Sequence, residues 1–147
     1  MILTQEQKKL IEAKVADIEK TTAGELKVIV AKSSSRWLYG FKNPVKRKAI
    51  LLFKKYNLHK TFDRTGVLIL FSIKEREFCI YADEGIYQKI GQSQFDAFSD
   101  ALSEKMMAGA YCEAILELLD KISIPLNEFF PIEPYDKNEI SDEVVEE

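Results

Sequence analysis

Four acidic residues that lie far apart in the sequence are the first candidates for chemistry. Glu25 opens a segment rich in β-branched residues, and Asp63 precedes a nearly apolar segment. Asp83 and Glu84 follow a third segment of this kind. Clustered carboxylates repel one another, because burial of several like charges disfavours the ionised form of each. A bound Ca²⁺ or Mg²⁺ ion relieves that repulsion and prefers oxygen ligands, so these four residues are candidate metal ligands.

The composition excludes several other kinds of site. The chain has one histidine, His59, and two cysteines, Cys79 and Cys112, so the usual zinc sites cannot form. The sequence contains no G-x-S-x-G nucleophile elbow and no glycine-rich nucleotide-binding motif. We expect both cysteines to be inert packing thiols in a reduced, cytoplasmic protein.

The elements that must position the four acids follow from the spacing of apolar residues. The chain has 147 residues, which suits one domain with a buried core. Helical periodicity, cap residues and β-branched runs predict the element order αβαββαα. The predicted helices begin near Thr4, Asn43, Ser93 and Tyr111, and the predicted strands cover 25–32, 65–72 and 77–82. The last helix is expected to end before Pro125, because proline disrupts a helix interior.

This order predicts both the fold class and the position of the acids. The expected fold is α/β, a three-layer αβα sandwich in which a small mixed sheet of three to four strands is flanked by four helices. The first two strands should be parallel, joined by a right-handed crossover, and the hairpin then adds an antiparallel strand. The starts of the first two strands and the end of the third therefore share one edge of the sheet. We expect Glu25, Asp63, Asp83 and Glu84 to converge there on one Ca²⁺ or Mg²⁺ ion.

A purely structural interpretation of the same acids is also open. The two acids that follow the third strand could favour the N-terminus of the next helical turn, where the helix dipole attracts negative charge. Glu25 could pair with Lys27, and Asp63 with Arg64. In that case the acids would not meet at a shared cation.

Charge is distributed unevenly along the chain. Residues 133–147 hold seven acids and one base, and few large apolar residues. We therefore expect a folded domain over 1–132 and an acidic tail over 133–147 that is disordered or loosely docked.

The segment 32–64 is strongly basic, with ten bases and one acid. Within it, the loop 32–48 also carries Trp37, Tyr39 and Phe41. It adjoins a predicted helix N-terminus, where a phosphate, an acidic protein partner or the protein's own acidic tail could bind. A solvated basic face with its aromatic side chains folded over the core is the structural alternative. Nucleic acid is not an expected partner, because the whole chain is acidic, with a net charge of −3. No apolar run is long enough to predict a transmembrane segment.

Three sequence motifs carry a resemblance to a known family. The run 19–28 (EKTTAGELKV) looks like the E-x-x-T-x-G-E-[IL]-x-V opening of TPM domains. The segment 60–69 (KTFDRTGVLI) is similar to the K-T-x-x-R-N-G-V-L-I strand of that family, and 78–86 (FCIYADEGI) to its next strand and D-x-G-I turn. The short pieces 109–111 (GAY) and 130–131 (FP) also match. Over roughly residues 4–131, the sequence resembles the TPM domain family.

The resemblance implies a fold, an activity and a ligand. The implied fold is an αβα sandwich, and the implied activity is the acid phosphatase activity assigned to thylakoid-lumen members linked to photosystem repair. Binding of divalent metals, chiefly Ca²⁺, is implied by some members. Glu25, Arg64, Gly66 and Asp83 fall on motif positions, whereas Thr65 stands where asparagine is usual. The signal sequence and membrane anchor of many relatives are not seen, so we expect a cytoplasmic location.

Two functions remain open from the sequence. The first is a divalent-metal-binding TPM domain in which the metal polarises a phosphate ester and activates a water, while Arg64 offsets phosphate charge. No nucleophile or general acid is predicted. The second is a non-enzymatic interaction module that contacts a partner through the basic and aromatic loop 32–48.

Overall fold

The computed structural model describes residues 3–34, 43–61, 64–134 and 140–147 of the chain. Five α-helices and four strands are present in these ranges, with a 3₁₀ turn at Leu58–Lys60 between α2 and β2. Their bounds, in chain order, are α1 Gln5–Glu19, β1 Glu25–Ala31, α2 Pro44–Lys55, β2 Gly66–Ser72, β3 Glu77–Ala82, α3 Glu84–Ile90, α4 Gln92–Met107, α5 Tyr111–Phe129 and β4 Val145–Glu146.

The four strands form one mixed sheet in the order β3-β2-β1-β4. β1 and β2 pair in parallel, β2 and β3 pair antiparallel, and β4 pairs in parallel with β1. Every residue of β1 and β2 is buried, as expected for central strands covered on both faces. The predicted parallel pairing of the first two strands and the antiparallel hairpin are confirmed.

Two hydrophobic cores on opposite faces of the sheet make the fold an αβα sandwich, as predicted. Val28 of β1 and Ile69 of β2 face a core that includes α1, α3, α4 and α5. Ile29 and Leu68, one position along each strand, face a core that includes α2. This alternation follows from the two-residue period of side chains along a strand. The second core extends to the 3₁₀ turn through Leu58.

The helix starts follow the cap residues read from the sequence. Thr4 accepts a hydrogen bond from Gln7 N, and the Gln7 side chain accepts one from Thr4 N, which completes a capping box for α1. Asn43 accepts from Lys46 N, and Pro44 takes the first turn of α2.

The helix α5 differs from the prediction at its C-terminal end. It continues through Pro125 to Phe129, although proline removes one backbone hydrogen bond. Tertiary contacts hold the last turn in place. Thr22 Oγ1 donates to the carbonyl oxygen of Leu126 at 3.0 Å, and the fully buried Leu126 side chain lies against Gly24.

Residues 140–147, called the tail segment below, belong to the stretch that was expected to be disordered or loosely docked, and the structure places them along β1. Glu147 N donates to Val30 O at 2.8 Å, and Lys32 N donates to Glu147 O at 3.1 Å. Ile140 and Val144 are buried. The prediction was based on the many acids of 133–147 and gave these two apolar residues little weight. Both apolar side chains pack against the fold, and Glu146 and Glu147 form ion pairs with lysines at its surface. Residues 135–139 lie outside the described ranges.

Within the described residues, no helix is both long enough and apolar enough to span a membrane. The cytoplasmic location stays a prediction.

Candidate functional site

The structure places the start of β1, the start of β2 and the end of β3 at one edge of the sheet, as predicted. Glu25 is in register with Gly66, and Glu25 N donates to Thr65 O at 3.0 Å. On the other side, Asp83 N donates to Gly66 O at 2.9 Å. Asp63, the remaining candidate before β2, lies outside the described residues. We call this edge the acidic rim.

Asp83 is a buried, oriented carboxylate at the acidic rim. Its side chain is only 6% exposed. Oδ1 accepts from Glu84 N at 2.7 Å, so that Asp83 caps α3. Both carboxylate oxygens lie 3.1 Å from Arg64 Nε. The structural interpretation thus holds for Asp83 as a helix cap, and its ionic partner is Arg64.

Arg64 and Glu84 are the exposed residues of the rim. The Arg64 side chain is 59% exposed, and its backbone is left-handed, with φ of 59°. Its ion pair with Asp83 raises the pKa of the guanidinium further. The Glu84 carboxylate accepts from Gln88 Nε2 at 3.0 Å on the outer face of α3.

Glu25 belongs to a different cluster of carboxyl groups. It is 4% exposed and lies beside Glu19 at the end of α1. Burial, a side-chain hydrogen bond to Asp142 and the charge of Glu25 raise the pKa of Glu19 far above its usual range. Glu19 Oε2 accepts from Leu26 N at 2.8 Å, whereas no donor among the described residues reaches its buried Oε1. We infer that Glu19 is protonated and donates to a neighbouring carboxylate, because an ionised Oε1 would be buried without a partner.

The candidate ligands are therefore divided between two neighbourhoods. Glu25 and Asp83 flank Gly66 on adjacent strand positions, which separates their backbones by about 10 Å, two strand spacings. The 3₁₀ turn packs against the sheet between these two residues, because a Cβ atom at Gly66 would lie 2.7 Å from Leu58 O. Over the four described ranges, no group of three or more His, Cys, Asp or Glu side chains is arranged to hold a metal ion. A shared ion for all four acids stays a prediction.

Glu19 and Asp142 are the acids that sequence reasoning missed. Glu19 stands six residues before Glu25 in the quoted 19–28 motif, so the motif held a signal for it. Asp142 carried no such signal, because it lies in the acidic tail that was expected to be disordered or loosely docked.

At the other ends of the strands, where β1 and β2 finish, hydroxyl groups and a carboxylate form a hydrogen-bond network. Glu75 accepts from Ser33 Oγ at 2.7 Å, from Ser34 N at 3.2 Å and from Ser72 Oγ at 2.5 Å. Burial raises the pKa of Glu75, but these hydrogen bonds outweigh it and lower the pKa to about 2. Lys48 Nζ donates to Ser33 O at 2.9 Å. The network joins the end of β1 to the hairpin between β2 and β3.

A groove runs along β3, which forms one edge of the sheet. Its volume is about 420 Å³, and it is lined by Asn43 and Lys46 of α2, by most of β3 and by residues of α3 and α4. Cys79 lies in it, and burial raises the pKa of this thiol to about 11, in agreement with an inert cysteine. A second cavity of about 470 Å³ is lined by Asn43, Lys46, Arg47 and Ile50. Trp37, Tyr39 and Phe41 lie outside the described residues.

Comparisons with known proteins agree with this architecture. The family model described as the TPM domain matches residues 1–123. Among curated proteins, none matches. The NMR structure of BA42 from the psychrophilic bacterium Bizionia argentinensis is similar, with 25% identity and a TM-score of 0.86 over 99% of this chain and 95% of that one. The N-terminal domain of cg2496 from Corynebacterium glutamicum shares the fold, with 10% identity and a TM-score of 0.62 over 99% of this chain and 81% of that one.

Proposed function

Because the chain belongs to the TPM domain family, we propose that it binds a divalent cation, Ca²⁺ or Mg²⁺, at the acidic rim with Asp83 as the anchoring ligand. The observation that carries this proposal is the Asp83 carboxylate itself. It is 6% exposed, it is fixed by the N-terminus of α3, and its ionic partner is an exposed arginine. A cation and Arg64 are thus alternative partners for the same negative charge.

The donor chemistry of the rim fits a hard cation. Asp83 and Glu84 offer carboxylate oxygens, and Asp63 precedes Arg64 in the sequence. Oxygen ligands suit Ca²⁺ and Mg²⁺. Glu25 is the weakest member of the proposed set, because its carboxyl group lies beside Glu19.

A phosphate ester is the substrate class that suits this rim, and the matching family model is labelled a TPM phosphatase. Arg64 lies beside Asp83 with its side chain largely exposed, and a cation that takes over the Asp83 charge leaves the guanidinium available to an anion. Under this proposal, Arg64 contacts a phosphate oxygen through a charge-assisted hydrogen bond. A bound cation would supply Lewis-acid polarisation of the ester.

Titration with Ca²⁺ and with Mg²⁺, followed by amide NMR of the full chain, tests the cation site. We expect shifts centred on Arg64 and on 83–86 for the preferred ion. Asp83→Asn should weaken binding at least tenfold, and Arg64→Gln should tighten it, because a competing charge is removed. Asp100→Asn, an exposed acid on α4, is the matched control. Shifts that are absent up to roughly 10 mM ion, above the range of weak protein calcium sites, would overturn the proposal.

Hydrolysis of p-nitrophenyl phosphate, with and without a chelator, tests the catalytic part separately. We expect activity that needs the ion and that falls about tenfold or more in Arg64→Gln, because one charge-stabilising donor is lost. Activity that survives both the chelator and Asp83→Asn would come from a contaminant or another site, and the hydrolase proposal would then be wrong.

The groove along β3 favours a second candidate function, an interaction module. Lys46 lines both this groove and the neighbouring cavity, and an exposed strand edge can accept an extended segment of a partner. We propose an acidic protein segment as the occupant. Lys46→Glu should abolish binding of an acidic probe peptide, whereas Lys74→Glu, an exposed position in the β2–β3 hairpin, should not. Equal loss in both variants would indicate general charge attraction instead.

A further inference from the structure

The outer edge of β1, between α1 and α2, is shaped to receive an extended chain. The tail segment lies along it, with Ile29 opposite Val145 and Val30 opposite Glu146 in parallel register. Its backbone hydrogen bonds to Val30 and Lys32 complete the ladder. This is the geometry of β-strand addition, in which the backbone provides affinity and alternate side chains provide specificity.

Lys27 binds the backbone of the extended segment that occupies this edge. Its side chain is buried, and Lys27 Nζ donates to Ser141 O at 3.1 Å and to Glu143 O at 2.8 Å. The ammonium group also lies 5.5 Å from the centroid of the Tyr56 ring. A buried cation is costly unless it is paired, so the site is complete only when an extended segment supplies these oxygens.

The side chains of the tail segment match the edge in charge and in polarity. Glu146 pairs with Lys8 at 3.3 Å, and Glu147 pairs with Lys55 at 2.8 Å. Two residues before Glu146, Val144 is 5% exposed and packs in the core that includes α1, α3, α4 and α5. The edge thus accepts an extended segment with a buried apolar residue followed by acids.

The tail segment is attached to the fold as a small separate unit at the edge of the sheet. It contributes a strand of only two residues, and one of its ion pairs joins Glu147 to Lys55, whose side chain is 59% exposed, a kind of pair that stabilises little. It is joined to the rest of the fold through 133–139, seven residues that span at most about 25 Å when extended. Departure of the segment removes only β4 from the sheet, but it leaves Lys27 Nζ without the two carbonyl groups, so the edge favours occupation by its own segment or by another copy of it.

We propose that the outer edge of β1 is a reversible peptide-binding site whose partner in trans is residues 140–147 of a second copy, so that two copies can exchange tail segments. The exchange is reciprocal, as in a two-fold dimer formed by swapping. A short linker gives the attached segment an effective concentration of about 1 mM. At about 10 µM protein, other copies are about a hundred times more dilute than the attached segment. In the wild-type chain, the site is therefore mostly occupied by the segment of the same copy.

Reciprocal charge reversal tests this proposal on the full chain. One variant reverses the site (Lys8→Glu with Lys55→Glu), and the other reverses the tail segment (Glu146→Lys with Glu147→Lys). Within each variant the site repels its own segment, whereas in a mixture each segment meets a site of opposite charge. Light scattering after size-exclusion chromatography should show monomers for each variant alone and a one-to-one dimer in the mixture. The chain that carries all four substitutions should return to a monomer.

A third variant separates tail exchange from general charge attraction. Val144→Asp, added to the site-reversed variant, removes the buried apolar contact of its tail segment, and we expect at least tenfold weaker association in the mixture. Association that is unchanged by Val144→Asp would overturn the proposal. So would a mixture that stays monomeric at about 100 µM, one tenth of the effective concentration of the attached segment, while circular dichroism shows that both variants are folded.

Discussion

Protonation of Glu19 is the residue-scale feature with the clearest effect on stability. Its pKa is raised in the folded protein from a usual value of 4.5, so the folded state holds a proton that the unfolded state releases as pH rises. The free energy of unfolding should therefore fall as pH rises above about 5, by at most about 1.4 kcal/mol per pH unit for one proton.

The Glu19→Gln side chain cannot ionise, so the stability of this variant relative to wild type should increase between pH 5 and 9. Urea unfolding at several pH values measures this, with Glu6→Gln on the same helix as control; parallel curves would contradict it.

Glu75 has the opposite dependence at the other edge of the sheet. Its folded pKa is lowered to about 2, so its contribution to stability is complete above about pH 5 and is lost as pH falls towards 2. Glu75→Gln should lower the free energy of unfolding at pH 7 by roughly 1.5–3 kcal/mol, the range for hydrogen bonds to a charged group. The difference from wild type should shrink at pH 3. A difference that stays constant from pH 7 to pH 3 would show that the carboxylate charge is not the cause.

The single-residue chemistry was only partly predictable from the sequence. Asp83 and Arg64 were both singled out, but their ion pair joins residues 19 positions apart, and residue types alone did not reveal that pairing. The carboxyl pair of Glu19 and Glu25 requires the end of α1 to lie beside the start of β1, which is a property of packing.

At the scale of elements, Gly66 decides how closely the 3₁₀ turn approaches the sheet. A Cβ at this position would lie 2.7 Å from the backbone oxygen of Leu58, and backbone cannot give way as a flexible side chain can. Gly66→Ala should destabilise the protein by roughly 1–3 kcal/mol, the usual cost of overpacking. Gly24→Ala is the matched control, since its Cβ would meet a leucine methyl group at 3.2 Å. Thermal unfolding that ranks Gly24→Ala as the more damaging change would contradict this account.

The elements themselves were predictable because their signals are local. Apolar runs predicted β1, β2 and β3, and the capping box and the Asn43–Pro44 pair predicted two helix starts. The last turn of α5 was missed because Thr22 and Gly24, about a hundred residues earlier, stabilise it. β4 was missed because its two residues gain their order from β1, and a two-residue strand leaves no periodic pattern.

At the scale of the whole molecule, docking of the tail segment should depend on salt and on pH. Burial raises the pKa values of Glu146 and Glu147, but hydrogen bonds from Lys8, and from Lys55 and Tyr56, outweigh it and lower them. Their contribution is therefore present near neutral pH and is lost as pH falls below about 4. Salt at about 1 M screens the same pairs. The Val145 amide resonance should move towards its random-coil position under both conditions, and a fixed resonance in both would contradict this prediction.

Pairing between β1 and β4 also sets an order of events during synthesis. Contacts such as Lys27 with Glu143 join residues 116 positions apart, so the ribosome completes β1 long before its outer neighbour exists. Domains begin to fold from the N-terminal side as they are made. A nascent chain thus holds an uncovered strand edge, which is a template for aggregation, and slow translation of the codons for 140–147 would lengthen that period of exposure.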